Sequence, residues 1–151
     1  MFADRSRPGA VLFACNFNRV RSPMAEALLK RIVGDRIYVD SCGLKYSPDG
    51  DNGDGVDPFA EAVMAELGCD ISGHQAKVFD ELEDNSFDLV ISFTPEAQHR
   101  AVEYARGRAA DIEYWPTFDP TLADGSREAR LAAYRQVRDM LTERIMARFG
   151  K

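Results

Sequence analysis

Four short strand-like runs, the first of them apolar throughout, alternate with segments of helical spacing, and this alternation limits what the chain can fold into more than any other feature. Residues 10–15 read Ala-Val-Leu-Phe-Ala-Cys, apolar at every position, as expected for a strand buried on both faces. Residues 36–42, "SFDLVISF" at 86–93 and "DIEYW" at 111–115 supply three more strands. Between them, Ser22-Pro23 opens a helix striped with Met24, Leu28 and Ile32, and Gly34 stops it. Asp57-Pro58 opens a second, with Phe59, Val63 and Leu67 on one face and Gly68 as its stop. Thr94-Pro95-Glu96 caps a third, running to about Arg106. Ser126 starts a long last helix with Leu131, Tyr134, Val137, Leu141, Ile145 and Phe149 at helical spacing. Strands alternating with helices predict an α/β three-layer sandwich, a four-stranded parallel sheet with helices on both faces. The 151 residues suit one such domain with one sizeable core.

In open sheets of this kind, ligands bind at the carboxyl ends of the strands. That rule puts Cys15, Cys42, Phe93 and Pro116 along one rim. The first strand ends on Cys15, and the stretch Asn16, Phe17, Asn18, Arg19 and Val20 leads to Arg21-Ser22-Pro23, where a helix begins. A loop between strand and helix points several backbone N–H groups inward, and the helix N-terminus behind it adds partial positive charge. The planar fork of Arg21 matches a phosphate. A cysteine in that potential is favoured as a thiolate, a soft nucleophile at the floor of an oxyanion cradle. The leaving oxygen then needs a proton. Asp119 in "YWPTFDPTLADG" follows the fourth strand, and Pro120 favours an extended residue before it, so Asp119 can project from its loop as that acid.

Cys15-x5-Arg21-Ser22-Pro23 directly after the first strand, with Asp119-Pro120 late in the chain, resembles the low-molecular-weight protein-tyrosine phosphatase family over nearly the whole length. The resemblance implies a phosphate-binding loop after strand one and a phosphomonoester hydrolase acting through a phosphocysteine. It implies Cys15 as nucleophile, Arg21 as phosphate clamp and Asp119 as general acid and then base. Ser22 would donate to the Cys15 sulfur. Asn18 would hold a strained loop turn, and Ser41 and His74 would hydrogen-bond it from behind. It implies no cofactor and no metal, and a phosphorylated protein or small phosphomonoester as substrate.

Several positions depart from the family loop, which usually reads Cys-x-Gly-Asn-x-Cys-Arg-Ser. Phe17 stands for a glycine, so the loop backbone is held differently or its mouth is narrowed by an aromatic wall. Val20 stands for the second loop cysteine, so the disulfide some relatives form inside the loop cannot form. Arg19 stands where relatives carry Ile, Ser or Thr, and is expected to meet a second anionic group or an acidic flanking peptide. Thr121-Leu122 follow Asp119-Pro120, where many tyrosine-specific relatives have two tyrosines. Tyr46, with Trp115 or Phe118, is expected to wall the pocket instead.

Two other functions share the fold. An arsenate reductase would need further cysteines, and "VISFTPEAQHR" lacks the pair that thioredoxin-linked relatives carry there. A phosphate-binding module without turnover is the other. The net charge of −6 opposes a broad nucleic-acid surface. Cys15, Cys42 and Cys69 are an odd set with no zinc spacing, and Cys42 and Cys69 read as small apolar filler. Residues 43–56 form a long Gly- and Asp-rich loop that fails a calcium register: from Asp49, the sixth-position glycine falls on Asp54 and the last acid on Ala60. No run approaches the ~18–20 apolar residues of a membrane span. With no leader pattern at the start, the chain reads as cytoplasmic and complete.

Overall fold

The computed structural model describes residues 8–48, 55–82 and 86–150. Of the loop at 43–56 weighed as a calcium site, residues 49–54 lie outside the described residues. The elements run β1 (Ala10–Cys15), α1 (Arg21–Val33), β2 (Tyr38–Gly43), α2 (Pro58–Ala65), β3 (Leu89–Ser92), α3 (Pro95–Ala105), β4 (Asp111–Tyr114) and α4 (Arg127–Phe149). The four strands form one parallel sheet in the order β2-β1-β3-β4. β1 is central, and the chain leaves it toward β2 on one side and later returns to β3 on the other. The loop after β1 therefore opens at the point where strand order reverses, where ligand crevices form.

Alternation along β1 divides the core between the two faces. Val11, Phe13 and Cys15 pack with α1, α2 and α4, and Phe13 stacks on Phe93 at 5.8 Å between ring centroids. Leu12 and Ala14 face Cys42, Val90 and the α3 residues Ala97, Ala101 and Tyr104. Trp115, expected at the pocket wall, is instead 5% exposed and packs against both Phe13 and Phe93.

Three helices begin where the sequence placed their caps. Asp57 Oδ1 accepts from the amides of Phe59 and Ala60, Thr94 Oγ1 from Ala97, and Ser126 Oγ from Ala129. Ser22 is the exception. α1 begins two residues earlier, with Val20 at the cap and no side-chain bond there, and the Ser22 hydroxyl is turned to Cys15. Two strands also differ from expectation. β2 starts at Tyr38, because residues 34–36 form a tight turn in which Arg36 donates to the carbonyls of Ile32 and Val33. β3 is only four residues long; before it, the Asp88 carboxylate takes the amides of Gly9 and Ala10 and ties the approach to β1.

Gly43, at the end of β2, lies directly against the loop after β1. A Cβ there would sit 2.9 Å from Asn16 O, Asn18 N and the Phe17 carbonyl carbon, all backbone atoms. Gly43→Ala is expected to cost about 1–3 kcal/mol in chemical denaturation, and to lower any activity that depends on loop geometry.

Candidate active site

The loop from Cys15 to Arg21 is held by hydrogen bonds whose directions can be worked out from donor and acceptor chemistry. The Glu26 carboxylate can only accept, so the Ser41 hydroxyl donates to its Oε1 at 2.6 Å. Ser41 has spent its one proton, so its oxygen accepts from Asn18 Nδ2 at 2.9 Å. The Lys77 amide donates to Asn18 Oδ1 at 3.0 Å and locks the carboxamide in that orientation. Asn18 Nδ2 also donates to Ser22 Oγ at 2.8 Å. The Ser22 proton is thus free to go to Cys15 Sγ at 2.9 Å, closer than the alternative acceptor, Cys42 O at 3.4 Å. The Asn18 backbone N–H adds a second donor to the same sulfur at 3.3 Å. Cys15, Ser22, Asn18 and Ser41 are all buried.

Asn18 carries the one positive φ among the described non-glycine residues, +56°. Asn tolerates the left-handed region better than most side chains. Because the turn is made there, Phe17 needs no glycine freedom. His74 Nε2 lies 2.9 Å from Asn18 O. Burial pushes His74 below its ordinary value, which favours the neutral ring at pH 7. With a carbonyl as partner, Nε2 carries the N–H and Nδ1 is bare.

Arg21 is buried, and its Nη1 donates to Thr117 O at 2.9 Å, which joins the loop to the segment after β4. Its Nη2 stands 3.9 Å from Asp119 Oδ2. Asp119 is extended, and its Oδ1 is held by the Thr121 amide and hydroxyl at 2.9 and 2.7 Å. Among the described residues Oδ2 takes no such bond, and it faces Arg21. One cleft of about 210 Å³ is lined by Cys15, Arg21 and Asp119 with Phe17, Arg19, Val20, Ser47, Pro48, Asp57 and Thr121.

The remaining expected residues fall in different places. Asn16 lies outside that lining: Thr94 Oγ1 donates to its Oδ1, and its carbonyl accepts from Leu44 and Lys45. Tyr46, expected as a pocket wall, also lies outside it and pairs its hydroxyl with Glu81. Phe17, Ser47 and Pro48 form that wall. Phe118 lines a neighbouring groove with Tyr114 and Pro116. Cys42 packs on the opposite sheet face from Phe13, and burial, then the charge of Cys15, pushes its thiol well up. Among the described residues no cluster of His, Cys, Asp or Glu could hold a metal ion, and no helix is long and apolar enough to cross a membrane.

Glu26, Lys77, Thr117 and Asp57 were not singled out for this site by the sequence. Glu26 had a signal: it lies four residues after Ser22, on the same helix face, with Lys30 four residues further on and 2.5 Å from its Oε2. Asp57 reads as a plain helix cap, yet its Oδ2 also accepts from Tyr134, whose buried phenol is pushed above its ordinary value.

The family model for low molecular weight phosphotyrosine protein phosphatases matches residues 10–149. An arsenate reductase of Bacillus subtilis (strain 168) is 30% identical over 135 residues, 89% of this chain and 91% of that protein. A solved arsenate reductase in the phosphate binding state is 31% identical with a TM-score of 0.73, covering 91% of this chain and 94% of that one. The low molecular weight protein tyrosine phosphatase from T. tengcongensis is 26% identical with a TM-score of 0.71, covering 90% and 94%.

The hydrogen-bond directions make Ser22 the donor that matters most to the sulfur. Ser22→Ala is expected to slow iodoacetamide alkylation of Cys15 at neutral pH by about tenfold or more, the scale of one hydrogen bond to a charged group. Glu26→Ala should act in the same direction and less strongly, since Lys77 still orients Asn18. Mass spectrometry of the alkylated peptide reads both.

Proposed function

The chain belongs to the low molecular weight phosphotyrosine protein phosphatase family, and on that premise we propose that it hydrolyses phosphomonoesters through a phosphocysteine on Cys15. The observation that carries this reading is the set of donors on one sulfur, Ser22 Oγ and Asn18 N, at the floor of a cleft that also holds Arg21 and Asp119. The substrate phosphoryl would sit against the loop amides, with Arg21 neutralising its equatorial oxygens. The Cys15 sulfur forms a bond to phosphorus as the ester P–O bond breaks. The protonated Asp119 carboxyl gives its proton to the leaving oxygen. In the second half, Asp119 takes a proton from the attacking water, the S–P bond breaks, and the Ser22 hydroxyl steadies the departing sulfur. Every transferred proton has a named group at the cleft.

The names of relatives favour a second reading, arsenate reduction on the same loop. That chemistry needs thiols to resolve the modified nucleophile. Cys42 is buried across the sheet, and Cys69 is half-buried with its thiol pushed up by burial. Reduction here would therefore depend on an external thiol. The phosphatase reading needs no group beyond those lining the cleft and the Ser22 and Asn18 donors beneath its sulfur.

Hydrolysis of an aryl phosphate at about pH 6 tests the proposal. Wild type is expected to turn over and Cys15→Ser to be inactive. Asp119→Ala should lower kcat by about 10²–10⁴-fold with a phenol leaving group and much less with nitrophenol, which departs without a proton. Unchanged turnover in Cys15→Ser, or arsenate-dependent consumption of a thiol by a wild type that leaves aryl phosphates intact, would contradict it.

A further inference from the structure

Although the chain is acidic, one edge of the cleft is basic. Arg19 lines the cleft, and its Nε donates to Gly55 O at 2.8 Å, which fixes the guanidinium on the wall formed by the approach to α2. The Asp57 amide donates to Arg19 O at 3.0 Å and ties the two segments together. Two residues further on, Phe59 carries two more arginines from the first turn of α4. Arg130 lies 4.7 Å and Arg127 5.6 Å from its ring centroid. Both are exposed. Among the described residues, no carboxylate pairs with Arg19, Arg127 or Arg130, whereas Arg135, Arg138 and Arg148 on the same helix all have carboxylate partners.

Two acids beside these arginines, Asp57 and Glu128, are engaged elsewhere. Asp57 uses Oδ1 for two helix amides and Oδ2 for Tyr134. Glu128, between the two exposed arginines in sequence, is turned to Arg135 at 3.1 Å. The Phe59 ring itself packs on Tyr134, 5.3 Å between centroids, so the aromatic under the arginines is anchored. A cation held on an aromatic face keeps its charge available to an anion from the other side.

We propose that Arg19, Arg130 and Arg127 form a docking strip for acidic residues flanking the phosphorylated residue of a protein substrate. This inference rests on the phosphatase reading and names its substrate class. Arg19 serves an acid next to the phosphoresidue, inside the cleft. Arg130 and Arg127 lie beyond the cleft lining, which favours an extended peptide over a small doubly charged ester. Surface charges of this kind act mainly on encounter and on KM, and they are screened by salt.

The test compares two phosphotyrosine peptides, one flanked by glutamates and one by neutral residues, together with a simple aryl phosphate. Wild type is expected to favour the acidic peptide by about 3- to 10-fold in kcat/KM through KM, with the preference shrinking as salt is raised. Arg127→Ala/Arg130→Ala should bring the two peptides together and leave aryl phosphate turnover unchanged. Equal handling of both peptides by wild type would overturn the strip, as would a preference undiminished in the double variant, in which Arg19 alone is left to keep part of it. So would failure on both peptides, or faster turnover of small doubly anionic esters without a peptide preference, while the aryl phosphate is still turned over. Loss of aryl phosphate turnover in wild type would instead strike the underlying phosphatase reading.

Discussion

The direction of one hydrogen bond organises this molecule: the Ser22 hydroxyl gives its proton to the Cys15 sulfur rather than taking one. A hydroxyl rotates freely and would settle either way. Here Asn18 Nδ2 already donates to its oxygen, the sulfur at 2.9 Å is nearer than the Cys42 carbonyl at 3.4 Å, and a thiolate at Cys15 can only accept. Asn18 is set by Lys77 N and by Ser41, and Ser41 is set by a carboxylate that can only accept. Each step as far as Asn18 has a single consistent polarity, so a carboxylate on α1 sets which way a buried asparagine points its donors, and with a thiolate at Cys15 the Ser22 proton completes the series. Buried polar networks of this kind are favourable only when every member is satisfied, and each member here is.

The sheet supplies the distances that the network needs. β1 sits between β2 and β3, so its last residue reaches the rim with neighbours on both sides. Ser41 and Gly43 come from β2, Thr94 from the cap of α3 just after β3, and Thr117 and Asp119 from the segment after β4. β2 can approach the loop only because Gly43 has no side chain. Arg21 then ties the loop to the Thr117 carbonyl, so Cys15 and Asp119 are spaced by the same scaffold.

Much of this is legible in the sequence because it is local. Asp57, Thr94 and Ser126 cap helices through bonds to residues two or three positions on, and the four strand-like runs mark the strands. Cys15, Arg21 and Asp119 stand out through spacing and family resemblance, and the fold brings them to one cleft. Ser22 was expected both to cap α1 and to meet the Cys15 sulfur; it does only the second, because its hydroxyl is turned to the sulfur seven residues earlier and not to the helix amides. Trp115 and Tyr46 were misplaced for a related reason: an aromatic near a site can wall it or leave it, and packing against Phe13 or a bond to Glu81 decides. Glu26 and Gly43 act through neighbours distant in sequence, and helix spacing alone does not mark a carboxylate as the end of a polar chain.

The central claim is that this network prepares a sulfur to accept phosphoryl. Rapid quenching of the protein during aryl phosphate turnover, followed by peptide mass spectrometry, tests it most directly. The account predicts a phosphoryl group on the peptide containing Cys15, building up further in Asp119→Ala under substrates whose leaving groups need no proton. Product formation with Cys15 unmodified throughout, or with phosphoryl on another residue, would contradict it.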